Sequence, residues 1–156
     1  MIESINPATE ETLAVFDEMT DAQVEAALKR ADDLAKSFGA RDKLSERLQA
    51  LAKLSEILKQ RAPELAKIIT QEMGKPFAQA KAEVEKSASC CDYYVAHAEG
   101  FLQDEIIPTA LKSSYVRWLP IGPVLAVMPW NFPLWQVIRF AAPALAAGNI
   151  CLLKHA

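Results

Sequence analysis

The sequence predicts an α/β chain in which four amphipathic helices precede a strand–helix–strand unit. Two observations carry that reading. From Thr20 to Leu102 apolar residues recur at helical spacing. Beyond them, the short apolar runs Pro123–Met128 and Ile150–Leu153 flank Leu134–Ala147, a segment of helical length that starts after Pro133 and ends at Gly148-Asn149. Charge supplies a third: all 20 acidic residues lie between Glu3 and Glu105, and the rest of the chain is apolar and mildly cationic.

Taken in order, Ile5–Glu18 reads as an extended segment, a turn around Pro7 to Glu11 and a short strand, together a small hairpin. Thr20-Asp21-Ala22-Gln23 has the capping-box spacing, in which the Thr20 hydroxyl holds a free backbone N–H and Gln23 reaches back. The helix it starts runs to about Ser37, with Val24, Ala27, Leu28, Ala31, Leu34 and Ala35 as its inner side. Leu44, Leu48, Leu51, Leu54 and Leu58 mark a second helix ending near Arg61. Pro63 opens a third, whose stripe is Leu65, Ile68, Ile69 and Met73, and Gly74-Lys75-Pro76 stops it. The fourth spans Phe77 to Phe101, its inner face passing through Phe77, Ala80, Val84, Ala88, Cys91, Val95, Ala98 and Leu102. Gln103 to Ala110 reads as a loop, and Leu111 to Leu119 as a strand with neither face wholly apolar, as an exposed or inter-subunit strand has.

In the closing unit the two strands should be parallel and adjacent, joined by a right-handed crossover and buried on both faces. Ligands of such sheets gather beyond the carboxyl ends of the strands. Pro129-Trp130-Asn131 and Lys154-His155 occupy those ends, which brings an amide and a cation to one rim. Asn131 has two readings, a cap for the following helix or an amide donor aimed at a developing oxyanion. Trp130 is a packing aromatic or a ligand-stacking one. Lys154 is a solvated strand end or a donor to a ribose or phosphate.

Composition excludes several classes of function. A net charge of −3 points to neither nucleic acid nor an acidic membrane as partner. A membrane span needs about 20 uninterrupted apolar residues, and five of the nine prolines fall between Pro120 and Pro143, with Arg139 and Asn149 interrupting the remainder. Met1-Ile2-Glu3-Ser4 lacks the cationic start of a secretory signal, so a cytoplasmic protein is expected. Three cysteines fit a reducing compartment, and none has the neighbours of a reactive thiol or a zinc ligand. No GxGxxG or P-loop pattern occurs.

The words Asn6-Pro7-Ala8-Thr9, Glu72-Met-Gly-Lys-Pro76, Met128-Pro-Trp-Asn-Phe-Pro133, Pro143-Ala-Leu-Ala-Ala-Gly-Asn149 and Leu153-Lys154 resemble the aldehyde dehydrogenase superfamily along essentially the whole chain. Glu83-Val-Glu-Lys-Ser87, Cys91-Asp92-Tyr93-Tyr94, Pro133-Leu-Trp-Gln-Val137 and Leu152-Leu-Lys-His-Ala156 look most like its bacterial NAD(P)-dependent succinate-semialdehyde branch. The resemblance implies a Rossmann-type cofactor domain, of which residues 1–110 are the hairpin and helical part and 122–156 the first βαβ, with 111–121 a strand of an oligomerisation arm. It implies Asn131 as the oxyanion-hole amide, Trp130 and Asn131 along the nicotinamide end of NAD or NADP, and Lys154 on the adenosine ribose. It also implies an aldehyde substrate, a homo-oligomer at full length, and a nucleophilic cysteine and a general-base glutamate that this sequence does not contain. The chain is therefore expected to be the N-terminal portion of such an enzyme, inactive alone and without tight dinucleotide binding. The competing expectation is a stand-alone, non-catalytic module that binds a partner such as an intact homologue.

Overall fold

The computed structural model describes residues 1–156. A hairpin opens the chain: β1 (Ile2–Ile5) pairs antiparallel with β2 (Thr12–Phe16), and the first strand begins earlier than the sequence pattern indicates. Next comes α1 (Asp21–Phe38), whose capping box is formed at Thr20 and Gln23. A 3-10 turn over Arg41–Lys43 leads into α2 (Leu44–Gln60), followed by α3 (Ala62–Met73) and α4 (Phe77–Phe101). Gly74 ends α3 in the left-handed region at φ 74° and donates its N–H to the Thr70 carbonyl, the αL stop that a glycine takes without a Cβ penalty.

The core is made of helices. α4 is its axis, packing on α2, α3 and α5 (Pro133–Ala146). Ala80, Val84, Ala88 and Cys91 are fully buried along it, and their small volume lets Leu51, Leu58, Ile69 and Ile138 close in from the neighbouring helices. The predicted stripe of α4 is borne out except at Phe77, which is about half exposed. On α3 the buried face is Ala62, Ala66 and Ile69, whereas Ile68 is exposed.

Expectations for α1 and for the strand after α4 are corrected. Of the α1 stripe only Ala31 is buried, and Val24, Leu28 and Leu34 are exposed, because α1 lies against the two C-terminal strands, which cover only part of it. The strand expected over Leu111 to Leu119 shrinks to β4 (Tyr115–Val116), paired antiparallel with β3 (Glu105–Ile106), which lies inside the expected loop. Asp104 fastens this ribbon, accepting from Arg117 Nε at 2.9 Å and Nη2 at 2.5 Å and from Arg41 Nη1 at 2.6 Å.

At the C-terminal end β5 (Pro123–Val127) and β6 (Ile150–Lys154) form a parallel ladder in which Val127 faces Lys154. Val124 and Ala126 turn inward, while Leu125, Val127 and Leu153 are exposed. The strands are thus covered on one face, where burial on both was expected, since nothing in these residues packs on the other. α5 closes with a Schellman turn: Gly148 donates to the Leu145 carbonyl and Asn149 to that of Ala144. Asn149 Oδ1 then accepts the N–H groups of Ile121 and Gly122, which joins the start of β5 to the start of β6. Buried Arg47 donates to the carbonyls of Phe38, Ala40 and Ala146, so the last turns of α1 and α5 meet on one guanidinium.

Candidate functional site

The parallel register sets the rim. Met128 donates its N–H to the Lys154 carbonyl at 3.2 Å, so β5 and β6 finish side by side and the chain turns from there into Trp130 and Asn131. Trp130, Asn131 and Lys154 are all exposed. No Asp or Glu belongs to residues 106–156, so the rim offers an aromatic face, an amide and a cation without an acidic side chain of its own strands or helix.

The choice between the two readings of Asn131 turns on what caps α5. The residue before α5 is Phe132, which makes no side-chain cap, and the Asn131 amide has no hydrogen-bond partner in the chain. The free N–H groups of Leu134 and Trp135 are instead taken by Glu83 Oε1 of α4, at 3.1 and 3.0 Å. A carboxylate facing the positive end of the helix is favourable, and it replaces the local cap that an asparagine could have made.

Glu83 is held in turn by Lys75, whose Nζ donates to Oε2 and, at 3.1 Å, to the backbone carbonyl of Asn131. The two side chains are 2% and 8% exposed, and the Lys75 ammonium lies 3.8 Å from the centre of the Phe132 ring. A buried ion pair is tolerable when its remaining hydrogen-bonding groups are satisfied, and here two backbone N–H groups, a carbonyl and an aromatic face do that. Both lie in words that carry the family resemblance, Glu72–Pro76 and Glu83–Ser87, yet neither is marked there as a partner of the Asn131 loop. The available signal was a carboxylate on the buried arc of α4, between Ala80 and Ser87, where an amphipathic helix should have an apolar residue.

Beside the loop lies a cavity of about 450 Å3 lined by Gln79, Ala82, Glu83, Lys86, Phe132, Trp135, Gln136 and Arg139. Lys86 Nζ stands 4.2 Å over the Trp135 ring and Arg139 donates to Gln136, which brings two cations to its wall. A larger hollow of about 920 Å3, between α2 and Trp118–Pro120, is lined by none of the rim residues.

The cysteines offer no nucleophile. Burial, with Cys90 and Asp92 beside it, pushes the Cys91 thiol up to about 11, and burial also raises Cys90 and Cys151, so each stays protonated near neutrality. No group of three or more His, Cys, Asp or Glu is placed to hold a metal ion, and no helix is long and apolar enough to cross a membrane.

Known proteins with this architecture were found by sequence and by structure. The aldehyde dehydrogenase family model matches residues 1–156. A probable NADP(+)-dependent succinate-semialdehyde dehydrogenase of Synechocystis is 48% identical over 155 residues, covering 99% of this chain and 34% of that protein. The Mycobacterium avium succinate-semialdehyde dehydrogenase [NADP(+)] is 45% identical over 158 residues, with the same coverage of 99% and 34%. Among solved structures, succinic semialdehyde dehydrogenase of Streptococcus pyogenes in complex with NADP+ superposes with a TM-score of 0.95 at 39% identity, over 99% of this chain and 34% of that one. Glyceraldehyde-3-phosphate dehydrogenase GapN of Methanocaldococcus jannaschii, complexed with NADP, gives 0.94 at 28% identity, over 100% and 34%. The chain spans about a third of the length of the curated relatives it matches, corresponding to their N-terminal portion. Matched by the family model along its whole length, this chain belongs to the aldehyde dehydrogenase family.

Proposed function

We propose that these residues form the opening part of an NADP-dependent enzyme that oxidises succinate semialdehyde to the carboxylate. Residues 1–110 and 122–156 contribute the hairpin, the helices and the first βαβ of its cofactor domain, and 111–121 a strand of an oligomerisation arm. In this reading NADP supplies the hydride acceptor. Exposed Trp130 and Lys154 fit such a dinucleotide at the rim of a parallel sheet, the cation toward the adenosine half. The substrate class rests on similarity to the relatives above. Glu83, which also lines the 450 Å3 cavity, is taken up by Lys75, Leu134 and Trp135, so Lys86 and Arg139 are the charges there that suit an aldehyde bearing a distal carboxylate.

One observation carries the role of Asn131: its amide is unpartnered at the start of α5, where Glu83 takes the free N–H groups. When a thiol adds to an aldehyde, negative charge develops on the carbonyl oxygen, and a preset amide N–H there lowers the barrier. Cys91 is buried, Cys90 and Cys151 are half-buried, and burial raises all three thiols, so the attacking thiol, like the general base that the resemblance implies, is assigned to other parts of a dehydrogenase-length protein. In that protein, Asn131→Ala is expected to lower kcat roughly 100- to 1,000-fold, the usual effect of removing one such donor. The KM for NADP should hardly move. A folded variant that keeps the parent kcat would remove Asn131 from the chemistry.

A second reading has one observation in its favour. Leu125, Val127 and Leu153 leave an apolar strand face open, and a non-catalytic module docking on an intact homologue would use it. Retention of the 156-residue chain on a column bearing the intact dehydrogenase, lost on Leu125→Glu, is the result that would favour the module.

A further inference from the structure

We propose that Lys75 and Glu83 are positioning residues that preset Asn131 for oxyanion binding, an inference that rests on the reading of Asn131 given above. An asparagine at a helix start can spend its side chain on the free N–H groups there. Here those of Leu134 and Trp135 are taken by Glu83 Oε1 from another helix, and the Asn131 amide has no partner in the chain. Lys75 acts on the backbone of the same loop. Its Nζ holds the Asn131 carbonyl at 3.1 Å and packs on the Phe132 ring at 3.8 Å, so one ammonium fixes two successive residues.

The pair is built from a different part of the chain than the loop it orients. Gly74, in the left-handed region, turns the chain after α3 so that Lys75 enters the interior, and a Cβ at Gly74 would lie 3.2 Å from Pro7 Cγ. Glu83 faces it from α4. Catalysis by a fixed dipole depends on the donor being in place before charge develops, and a misplacement near 1 Å costs about 100-fold in rate.

The test is a set of variants of the dehydrogenase-length protein, read by kcat, by the KM for NADP and by thermal midpoint, with succinate semialdehyde as substrate. Lys75→Met is expected to lower kcat about 100-fold and to change the KM for NADP by less than roughly twofold. In an Asn131→Ala background the same substitution is expected to lower kcat no further, because the donor it positions is gone. Lys75→Met also strands a buried carboxylate, so Lys75→Met/Glu83→Gln is measured beside it. The glutamine oxygen still accepts from Leu134 and Trp135 and no lone charge is buried, so the midpoint should recover toward that of the parent while kcat stays low. Recovery of kcat together with the midpoint would make the pair scaffold only and overturn the proposal. So would an equal loss of kcat with and without Asn131, or no loss in either. If Asn131→Ala alone keeps the parent kcat, the oxyanion reading itself fails and takes this proposal with it, an outcome visible in that single variant.

Discussion

Lys154 closes β6 opposite Val127, with its side chain exposed and no salt-bridge partner. In a dehydrogenase-length protein, Lys154→Ala should raise the KM for the dinucleotide more than that for the aldehyde. The loss should be greater for NADP than for NAD, because a 2′-phosphate has more to lose from a missing cation. Equal and negligible effects on both would take Lys154 out of the site. This lysine, like Trp130 and Asn131, was legible in the sequence because a parallel pair of strands must end on one rim whatever surrounds it. Lys75 and Glu83 were not. They meet across eight positions of chain, and Glu83 acts on residues 51 and 52 positions further on and Lys75 on one 56 further on, contacts that only the packing of α4 on α5 decides. The same packing decides which group caps α5, since the sequence holds more than one possible cap and cannot rank them.

At the level of elements, the helices were readable nearly to the residue because caps and stops are local chemistry. Thr20 with Gln23, Gly74 before Pro76, and Gly148-Asn149 each act within one turn. The β3–β4 ribbon was misread because its strands are two residues each and owe their place to Asp104, whose partners lie on both sides of it in sequence. Two glycines test the logic of the stops. Gly148 has φ 93°, and a Cβ there would stand 3.0 Å from the Gly39 backbone, so Gly148→Ala should destabilise the chain by about 1 to 3 kcal/mol. Gly100 lies inside α4 with nothing within 4 Å of a Cβ, and Gly100→Ala should stabilise by about 0.5 to 1 kcal/mol. Urea unfolding of both variants beside the parent measures the difference, and a common sign would refute the argument.

On the scale of the whole molecule, the helical core is closed and the sheet is open. α2, α3, α4 and α5 bury one another, whereas Leu125, Val127 and Leu153 of the sheet and Val24, Leu28 and Leu34 of α1 are exposed. Parallel strands are normally covered on both faces, and an apolar strand left open invites another chain. The purified 156-residue chain should therefore self-associate, and with its thiols shielded it should turn over no succinate semialdehyde with NADP. Light scattering and a dehydrogenase assay check both, and a monodisperse monomer would show that the open face is tolerated. The buried-both-faces reading of β5 went astray here for a plain reason: an apolar run records what a strand is suited to, not what these residues place against it.

The two arginine joints of the molecule differ in what they hold, and acid should tell them apart. Arg47 grips carbonyls only, which do not titrate, while Arg41 and Arg117 grip Asp104. First Arg117 and then Arg41 hold the Asp104 carboxyl well below the usual carboxylate range. A lowered folded value stabilises the fold at pH above the unfolded carboxylate value, and that contribution is lost as pH falls through the lowered one. Disassembly on acidification should then have an order, with the ribbon peeling from the bundle while the joined ends of α1 and α5 still hold. Hydrogen exchange reads that sequence directly: the Ile107 amide, bonded to the Ser114 carbonyl, should lose protection at a higher pH than the Asn149 amide, bonded to that of Ala144.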